Sequence, residues 1–433
     1  MINLFETFDT NSLDLIRSQL YAGFNIKSIV IKDNGFTPDK IDSPVKFFCN
    51  LPKVGHALYF NKVPFPKYWR IESRQQKANV YDLDKKRAEI IYNPANNFRE
   101  VIEVRFLNQA NQISWVNHYN NHGFLFAKTY YLNNQPALKK YFNKEKREII
   151  VQNLKTNNIC LNFKQNQYYF ENIQDFILFY LSLRNFNLDQ VLFNSVNLVQ
   201  LFDSKLNTKG RNIFVCSNTQ DLDKLASVKS IKHVLFTNYR TWQNMQDKLP
   251  KDDKEYNFIG TIYPHPRSNH LKPNALILTN SDQIEGLEQI VKLMPNLQIN
   301  IASITAMSNK LLEFKRYSNI TLYPNVNYQK IAELFNICDV YLDINHQNEI
   351  LNGVRSAFEQ NMLITGFENT LHNKQYVANP AIFKQDEVKQ LADFVKSVLA
   401  SPANMQKCID LQRKTAGDVA IDQFKQAFKN CVK

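Results

Sequence analysis

A chain of 433 residues has room for two or three domains, each with its own buried core. Hydrophobic residues at 44% and aromatic residues at 12% argue against disorder, although Asn and Lys are plentiful. The net charge of +13 comes from scattered lysines, which form a solvated surface rather than a concentrated nucleic-acid footprint.

From the N terminus, the spacing of Leu13, Leu15, Ile16 and Leu20 predicts a helix over about 11–21, stopped by Gly23 and followed by the strand-like run Ser28-Ile-Val-Ile. Between 52 and 170 the period changes to two. Alternating segments recur at Ala78-Asn-Val-Tyr, Ala88-Glu-Ile-Ile-Tyr, Val101-Ile-Glu-Val-Arg-Phe, Ile113-Ser-Trp-Val, Phe124-Leu-Phe-Ala-Lys-Thr-Tyr-Tyr, Glu148-Ile-Ile-Val and Ile159-Cys-Leu-Asn-Phe. Turn-prone groups at Asn93-Pro-Ala-Asn-Asn, Asn120-Asn-His-Gly and Asn133-Asn separate them, as an antiparallel meander requires.

A helix pattern returns at Ile173-Gln-Asp-Phe-Ile-Leu-Phe-Tyr-Leu, with strands expected at Val191-Leu-Phe, Asn212-Ile-Phe-Val-Cys and His233-Val-Leu-Phe. The polar stretch 247–256 reads as an interdomain connection. A second α/β series follows, with strands at Ala275-Leu-Ile-Leu, Leu297-Gln-Ile-Asn-Ile, Ile320-Thr-Leu-Tyr, Val340-Tyr-Leu-Asp and Met362-Leu-Ile-Thr, and helices near 283–293, 308–315, 328–338 and 350–360. This alternation predicts parallel sheets with right-handed crossovers. The expected fold is α/β, with two Rossmann-like domains enclosing a cleft and an inserted antiparallel β-meander domain. Its boundaries are 1–51 with 171–250, then 52–170, then 251–415, and a C-terminal helix in 416–433 crossing back to the first domain.

Motifs with a definite chemistry are missing. The chain has only 10 glycines, and none forms GxGxxG or a P-loop, so no nucleotide cofactor is expected. His265 and His270 have no nearby cysteine and no HExxH, so no metal is expected; Asp82-Leu-Asp84, which imitates a metal-holding DxD, reads as a solvated hairpin. No GxSxG elbow marks a nucleophile. Pro64-Phe-Pro-Lys-Tyr-Trp-Arg reads as packed aromatics with snorkelling cations rather than a stacking platform. The six cysteines are far apart and form no CxxC pair, which suits a reducing compartment. With neither a signal-peptide pattern nor an apolar span of bilayer length, the chain is expected in the cytoplasm, with a surface basic enough for peripheral contact at the inner face of the cell membrane.

The segment Asp343-Ile-Asn-His-Gln-Asn-Glu349-Ile-Leu-Asn-Gly353-Val-Arg-Ser-Ala-Phe-Glu359-Gln resembles the donor-site segment of retaining GT-B glycosyltransferases. In those enzymes two glutamates flank seven residues and hold the sugar and ribose of a nucleotide sugar. Glu359 matches the second glutamate. The first falls on Leu351, and the nearest acid, Glu349, stands two residues too early. The same resemblance places an Arg and a Lys, which neutralise the departing diphosphate, at Asn280 and Glu285 of Leu278-Thr-Asn280-Ser-Asp-Gln-Ile-Glu285-Gly286. A carboxylate at the second position replaces attraction by repulsion.

Nearly the whole chain is similar to one family, the stabilising subunit of the peptide O-GlcNAc transferase of bacterial accessory Sec systems. The likeness is carried by Ile2-Asn-Leu-Phe, Ile29-Val-Ile-Lys-Asp-Asn-Gly-Phe with Ser43-Pro44, Tyr59-Phe-Asn-Lys-Val-Pro, Pro66-Lys-Tyr-Trp, His118-Tyr-Asn-Asn-His-Gly with Phe126-Ala-Lys-Thr-Tyr, and the 343–359 segment. It implies a subunit without catalytic residues, cofactor or metal. Such a subunit binds serine-rich-repeat adhesin precursors and stabilises a homologous catalytic glycosyltransferase, which transfers GlcNAc from UDP-GlcNAc to Ser and Thr. Candidate acceptor contacts, chosen as loop residues at the expected cleft mouth, are Tyr263, His265, Arg267, Asn345, His346 and Arg355. Two other readings are an active retaining GT-B enzyme using a UDP-sugar, and a basic nucleic-acid or membrane-surface binder.

Overall fold

The two periodicities of the sequence become three sheets. A computed structural model describes residues 1–74, 77–94, 98–203, 205 and 211–432; of the turn expected at 93–97, residues 95–97 lie outside the described residues. Two compact units emerge, one of 1–235 with 250–255 and one of 236–249 with 256–431.

The first unit opens with β1 (Ile2–Phe5), α1 (Thr10–Tyr21), β2 (Lys27–Val30) and α2 (Pro44–Cys49). Asp9 caps α1 by accepting the Ser12 N–H and hydroxyl, and Gly23, at φ +87°, follows its end. The chain then runs through β3 (Arg70–Ser73), β4 (Lys77–Asp82), β5 (Lys85–Tyr92), β6 (Val101–Leu107), β7 (Ile113–Tyr119), β8 (Leu125–Leu132), β9 (Gln135–Phe142), β10 (Glu148–Asn153), β11 (Ile159–Phe163) and β12 (Asn166–Phe170). These form one ten-stranded antiparallel sheet in sequence order. The meander is as expected, but β3, β9 and β12 were not among the expected strands. Most of their residues are half-buried or exposed, so no regular apolar alternation marks them.

Val80, Ala88, Ile90 and Val104 form the buried side of strands β4 to β6, and Phe60, Phe65 and Trp69 pack on it. Phe65 and Trp69 are therefore packed aromatics, while Tyr68 is 85% exposed. Asp82 pairs with Arg87 at 3.1 Å across the β4–β5 hairpin.

The first parallel sheet is completed through α3 (Ile173–Leu183), β13 (Val191–Phe193), α4 (Val196–Phe202), β14 (Asn212–Cys216), α5 (Gln220–Leu225), β15 (Ile231–Phe236), α6 (Tyr239–Met245) and β16 (Glu255–Phe258), in the order β16-β15-β14-β13-β1-β2. The 247–256 stretch is thus not wholly a connection, because its end enters β16. Within the first unit three of the family-like segments meet at one seam. Gly35 accepts the Asn121 N–H, its own N–H is held by Asp33, and the other Asp33 carboxylate oxygen accepts the Ser43 hydroxyl.

The second unit alternates β17 (Asn274–Leu278), α7 (Leu287–Leu293), β18 (Gln298–Ala302), α8 (Asn309–Leu312), β19 (Ile320–Tyr323), α9 (Tyr328–Ile337), β20 (Val340–Asp343), α10 (Gly353–Glu359), β21 (Leu363–Phe367) and β22 (Ile382–Phe383). They give a parallel sheet in the order β19-β18-β17-β20-β21-β22. Ala275, Leu276, Ile277, Ile299, Ile301, Val340 and Leu342 are all buried, as a sheet covered on both faces requires. α11 (Val388–Leu399), α12 (Pro402–Ala416) and α13 (Ile421–Lys429) follow within this unit.

Three helix expectations need correction. α7 begins at Leu287 rather than near 283, because Gly286 sits at φ +60° and Ile284 bridges Asn345. α10 begins at Gly353 rather than 350, because Leu351 and Asn352 are left-handed. The helix near 308–315 is one α-turn, α8, that tightens into a 3₁₀ turn over Glu313–Arg316.

Nine of the sixteen non-glycine residues with positive φ among the described residues are asparagines, which supply the turns that glycine usually makes. Gly35 is a position asparagine cannot take. At φ +86°, a Cβ there would lie 2.6 Å from the Phe126 ring and 2.9 Å from the Asn120 backbone. Gly35→Ala is expected to destabilise the protein by about 2–3 kcal/mol, read from urea denaturation, through backbone strain and overpacking at the seam.

Candidate functional site

Ligands of parallel α/β sheets bind beyond the carboxyl ends of the strands, where neighbouring connections diverge. In the second unit this switch point lies between β17 and β20. Thr279 leaves β17 and donates its hydroxyl to Asn345 Oδ1 at 2.9 Å, joining the two loops in a buried bond. The backbone closes over the same place, since Glu285 N donates to Ile344 O at 2.8 Å and His346 N to Gln283 O at 3.1 Å.

Asn280 Oδ1 accepts from Ser303 Oγ at 3.0 Å, Ile304 N at 3.2 Å and Thr305 Oγ1 at 3.3 Å. It braces the β18 loop. The Glu285 carboxylate is 2.8 Å from His346 Nε2 and 3.4 Å from Asn369 Nδ2.

Around α10, the Glu349 carboxylate accepts the Val354 N–H at 2.9 Å. Burial, joined by the charge of Asp343, pushes its pKa up against the opposing effects of that hydrogen bond and His372. Leu351 packs against the cluster holding Tyr341, Val354 and Phe358, so its side chain serves the core. Gly353 has no room for a Cβ, which would lie 2.5 Å from the Tyr341 hydroxyl oxygen. Glu359 pairs with Arg355 at 2.9 Å one helical turn away.

The candidate acceptor residues fall into three groups. Asn345 and His346 belong to the closed switch point just described. Tyr263 is buried edge-on against Phe358 and Tyr376, with the Arg355 guanidinium 5.4 Å from its ring centre; His265 lies 2.8 Å from Asp418 and 3.2 Å from the Glu359 carbonyl. Arg267 is apart from both. Its guanidinium meets the Asp339 carboxylate at 2.6 Å and donates to the Phe335 and Cys338 carbonyls, and Asp339 is fully buried.

A central pair escaped the sequence reading. The Asp343 carboxylate, 2% exposed at the end of β20, accepts both the ring Nδ1–H and the backbone N–H of His372, whose Nε2 meets the Gln347 carbonyl. Burial opposes the charged imidazole, but the Asp343 hydrogen bond and charge, with Gln347, raise its pKa to about 9. Nothing local flagged this pair, because 29 residues separate its members.

Two parallel α/β units with this strand order define a glycosyltransferase-like protein of GT-B type. Models of the GtfB N-terminal domain, the GtfB middle domain and the GftB/GlyA-F C-terminal domain match residues 2–48, 69–171 and 275–412. The UDP-N-acetylglucosamine–peptide N-acetylglucosaminyltransferase stabilizing protein GtfB of Limosilactobacillus reuteri subsp. suis is 41% identical, over 98% of each chain. Its counterpart from Streptococcus agalactiae is 35% identical, again over 98% of each. A solved structure described as a GtfA/B complex bound to UDP and GlcNAc contains a chain that aligns over 100% of both, with a TM-score of 0.92 and 32% identity. The chain belongs to the GtfB family of transferase-stabilising proteins.

Two predictions follow from these bonds. His372 has a folded pKa above its ordinary value of 6.5, so its contribution is complete below pH 6.5 and fades as pH rises through about 9. Urea midpoints of the unmodified chain are expected to fall across that window, and His372→Gln is expected to flatten the decline. Arg267→Ala leaves Asp339 buried without its cation and is expected to cost about 3–5 kcal/mol of stability in the same measurement.

Proposed function

We propose that this chain is a non-catalytic co-subunit that binds the serine- and threonine-rich segments of an adhesin precursor. In this reading it stabilises and activates a homologous catalytic glycosyltransferase, which transfers GlcNAc from UDP-GlcNAc to their hydroxyl groups. The partner is the GtfA-type chain named with GtfB in the solved complexes.

The observation that carries this reading is the edge of the second sheet. A diphosphate leaving there would meet the Glu285 carboxylate where a retaining GT-B enzyme needs a cation, and a leaving group deprived of such charge stabilisation loses several kcal/mol. Leu351 offers a sugar hydroxyl no acceptor, and Asn280 is held by three donors of the β18 loop. Each group is engaged with the chain itself.

The test is transfer of radiolabelled GlcNAc from UDP-GlcNAc to a serine-rich-repeat peptide by this chain alone, the catalytic partner alone, and both. Strong labelling is expected only with both, and unchanged when this chain carries Leu351→Glu with Glu285→Lys. Labelling by this chain alone that Glu359→Gln abolishes would mean the donor site is alive and the reading wrong.

A further inference from the structure

A cavity of about 510 Å³ opens beside β2, the edge strand of the first parallel sheet, and is within the size range of small-molecule sites. It is built from the 33–43 loop, α2 with the residues that follow it, the 120–122 turn of the meander, and the Phe163-Lys164 corner. It runs along the flank of the sheet rather than past its strand ends. Asp42 on its wall pairs with Ile29 inside β2, and Arg184 reaches Asp42 at 3.3 Å from the end of α3.

The apolar part of the lining is mainly aromatic. Phe163 meets the Phe48 ring edge-on at 5.1 Å and the Phe47 ring at 5.9 Å, so the rings hold one another in place while Phe47 and Phe163 stay half-buried. Leu51 and Pro52 extend this surface.

The charged part of the lining sorts into pairs with a remainder. Asp33 lies 3.9 Å from Lys46, Asp42 3.3 Å from Arg184, and Asp39 3.1 Å from His122. Lys46 also donates to the carbonyls of Thr37 at 2.7 Å, Pro38 at 2.9 Å and Ile41 at 3.3 Å, so it pins the loop and is not free to meet a ligand. Lys53 and Lys164 are left over. Both are exposed, neither has an acidic partner among the described residues, and the Lys164 ammonium lies 5.4 Å from the centre of the Phe163 ring. A neutral apolar molecule would leave these two cations unused, and a polyanion such as a nucleotide would meet three aspartates. The lining is complementary to an apolar body that ends in a single anionic group.

We infer that this flank cavity binds a small free anion with an aromatic or branched apolar body, such as an arylcarboxylate, the rings of Phe47 and Phe163 taking the body and Lys53 and Lys164 the anionic group. A ligand there touches both the 33–43 loop of the parallel sheet and the 120–122 turn of the meander, so its occupancy clamps the two sheets of the first unit together. The site is independent of the co-subunit role proposed above.

The test is a fluorescence titration of the full-length chain with anilinonaphthalene sulfonate, an aromatic anion that brightens when it leaves water. Saturable binding is expected, with a rise in melting temperature at saturation. Combining Lys53→Gln with Lys164→Gln is expected to weaken the binding about tenfold, through loss of two partly screened charge contacts. Phenylnaphthylamine, the same ring system without the sulfonate, is expected to bind both forms equally. Lys389→Gln with Lys407→Gln removes the same charge from exposed positions in the second unit and is expected to change neither affinity. Leu51→Trp, which fills the cavity, is expected to abolish binding of both dyes. Melting temperatures separate lost contact from misfolding, and the two exposed lysines keep the test decisive if Leu51→Trp does not fold. Absence of saturable binding by the unmodified chain, or binding that the double lysine variant retains within about twofold, overturns the site and leaves the co-subunit role untouched.

Discussion

A carboxylate at the end of a strand buried on both faces cannot be left without partners, and Asp343 is such a group. It draws the His372 segment across the carboxyl edge of the second sheet, taking both the ring and the main-chain N–H. His372 then reaches the Gln347 carbonyl and, beyond it, influences Glu349. The arrangement of the β20–α10 loop follows from meeting this one buried charge. With Thr279 bonded to Asn345, and Glu285 to His346, the edge is organised around its own side chains.

Much of this architecture is legible in the sequence. Parallel strands buried on both faces leave near-continuous apolar runs such as Ala275-Leu-Ile-Leu, and half-buried hairpins leave alternation such as Val101-Ile-Glu-Val. Strands β9 and β12 were missed because mixed half-buried and exposed positions erase that alternation. The early helix starts at 283 and 350 failed for another reason. Apolar spacing continues through Ile284 and Ile350, but the backbone there is set by a bridge to Asn345 and by left-handed Leu351 and Asn352.

The placing of Leu351 and Glu359 at a donor site is an expectation of the resemblance; in the structure the half-buried Leu351 side chain packs against the cluster of Tyr341, Val354 and Phe358. Tertiary pairs were invisible, because Asp343 and His372, or Arg267 and Asp339, have no characteristic spacing. The first unit adds a complementary lesson. The segments around Gly35, Ser43 and Asn120 form a seam between the parallel sheet and the meander, so part of the family likeness reflects how two sheets are joined.

The reliance on asparagine for left-handed turns has a consequence in covalent time rather than in folding energy. An asparagine followed by glycine is the residue pair whose side chain most readily closes on the next backbone nitrogen, losing ammonia to leave aspartate or its β-linked isomer. Asn34-Gly35 and Asn352-Gly353 are such pairs, one at the seam of the first unit and one at the start of α10. Ageing at either would add negative charge and, in the isomer, an extra backbone carbon beside Gly35 or Gly353, neither of which has room for a Cβ. The useful lifetime of the chain is thereby tied to the chemistry of these two asparagines, of which Asn352 is itself left-handed.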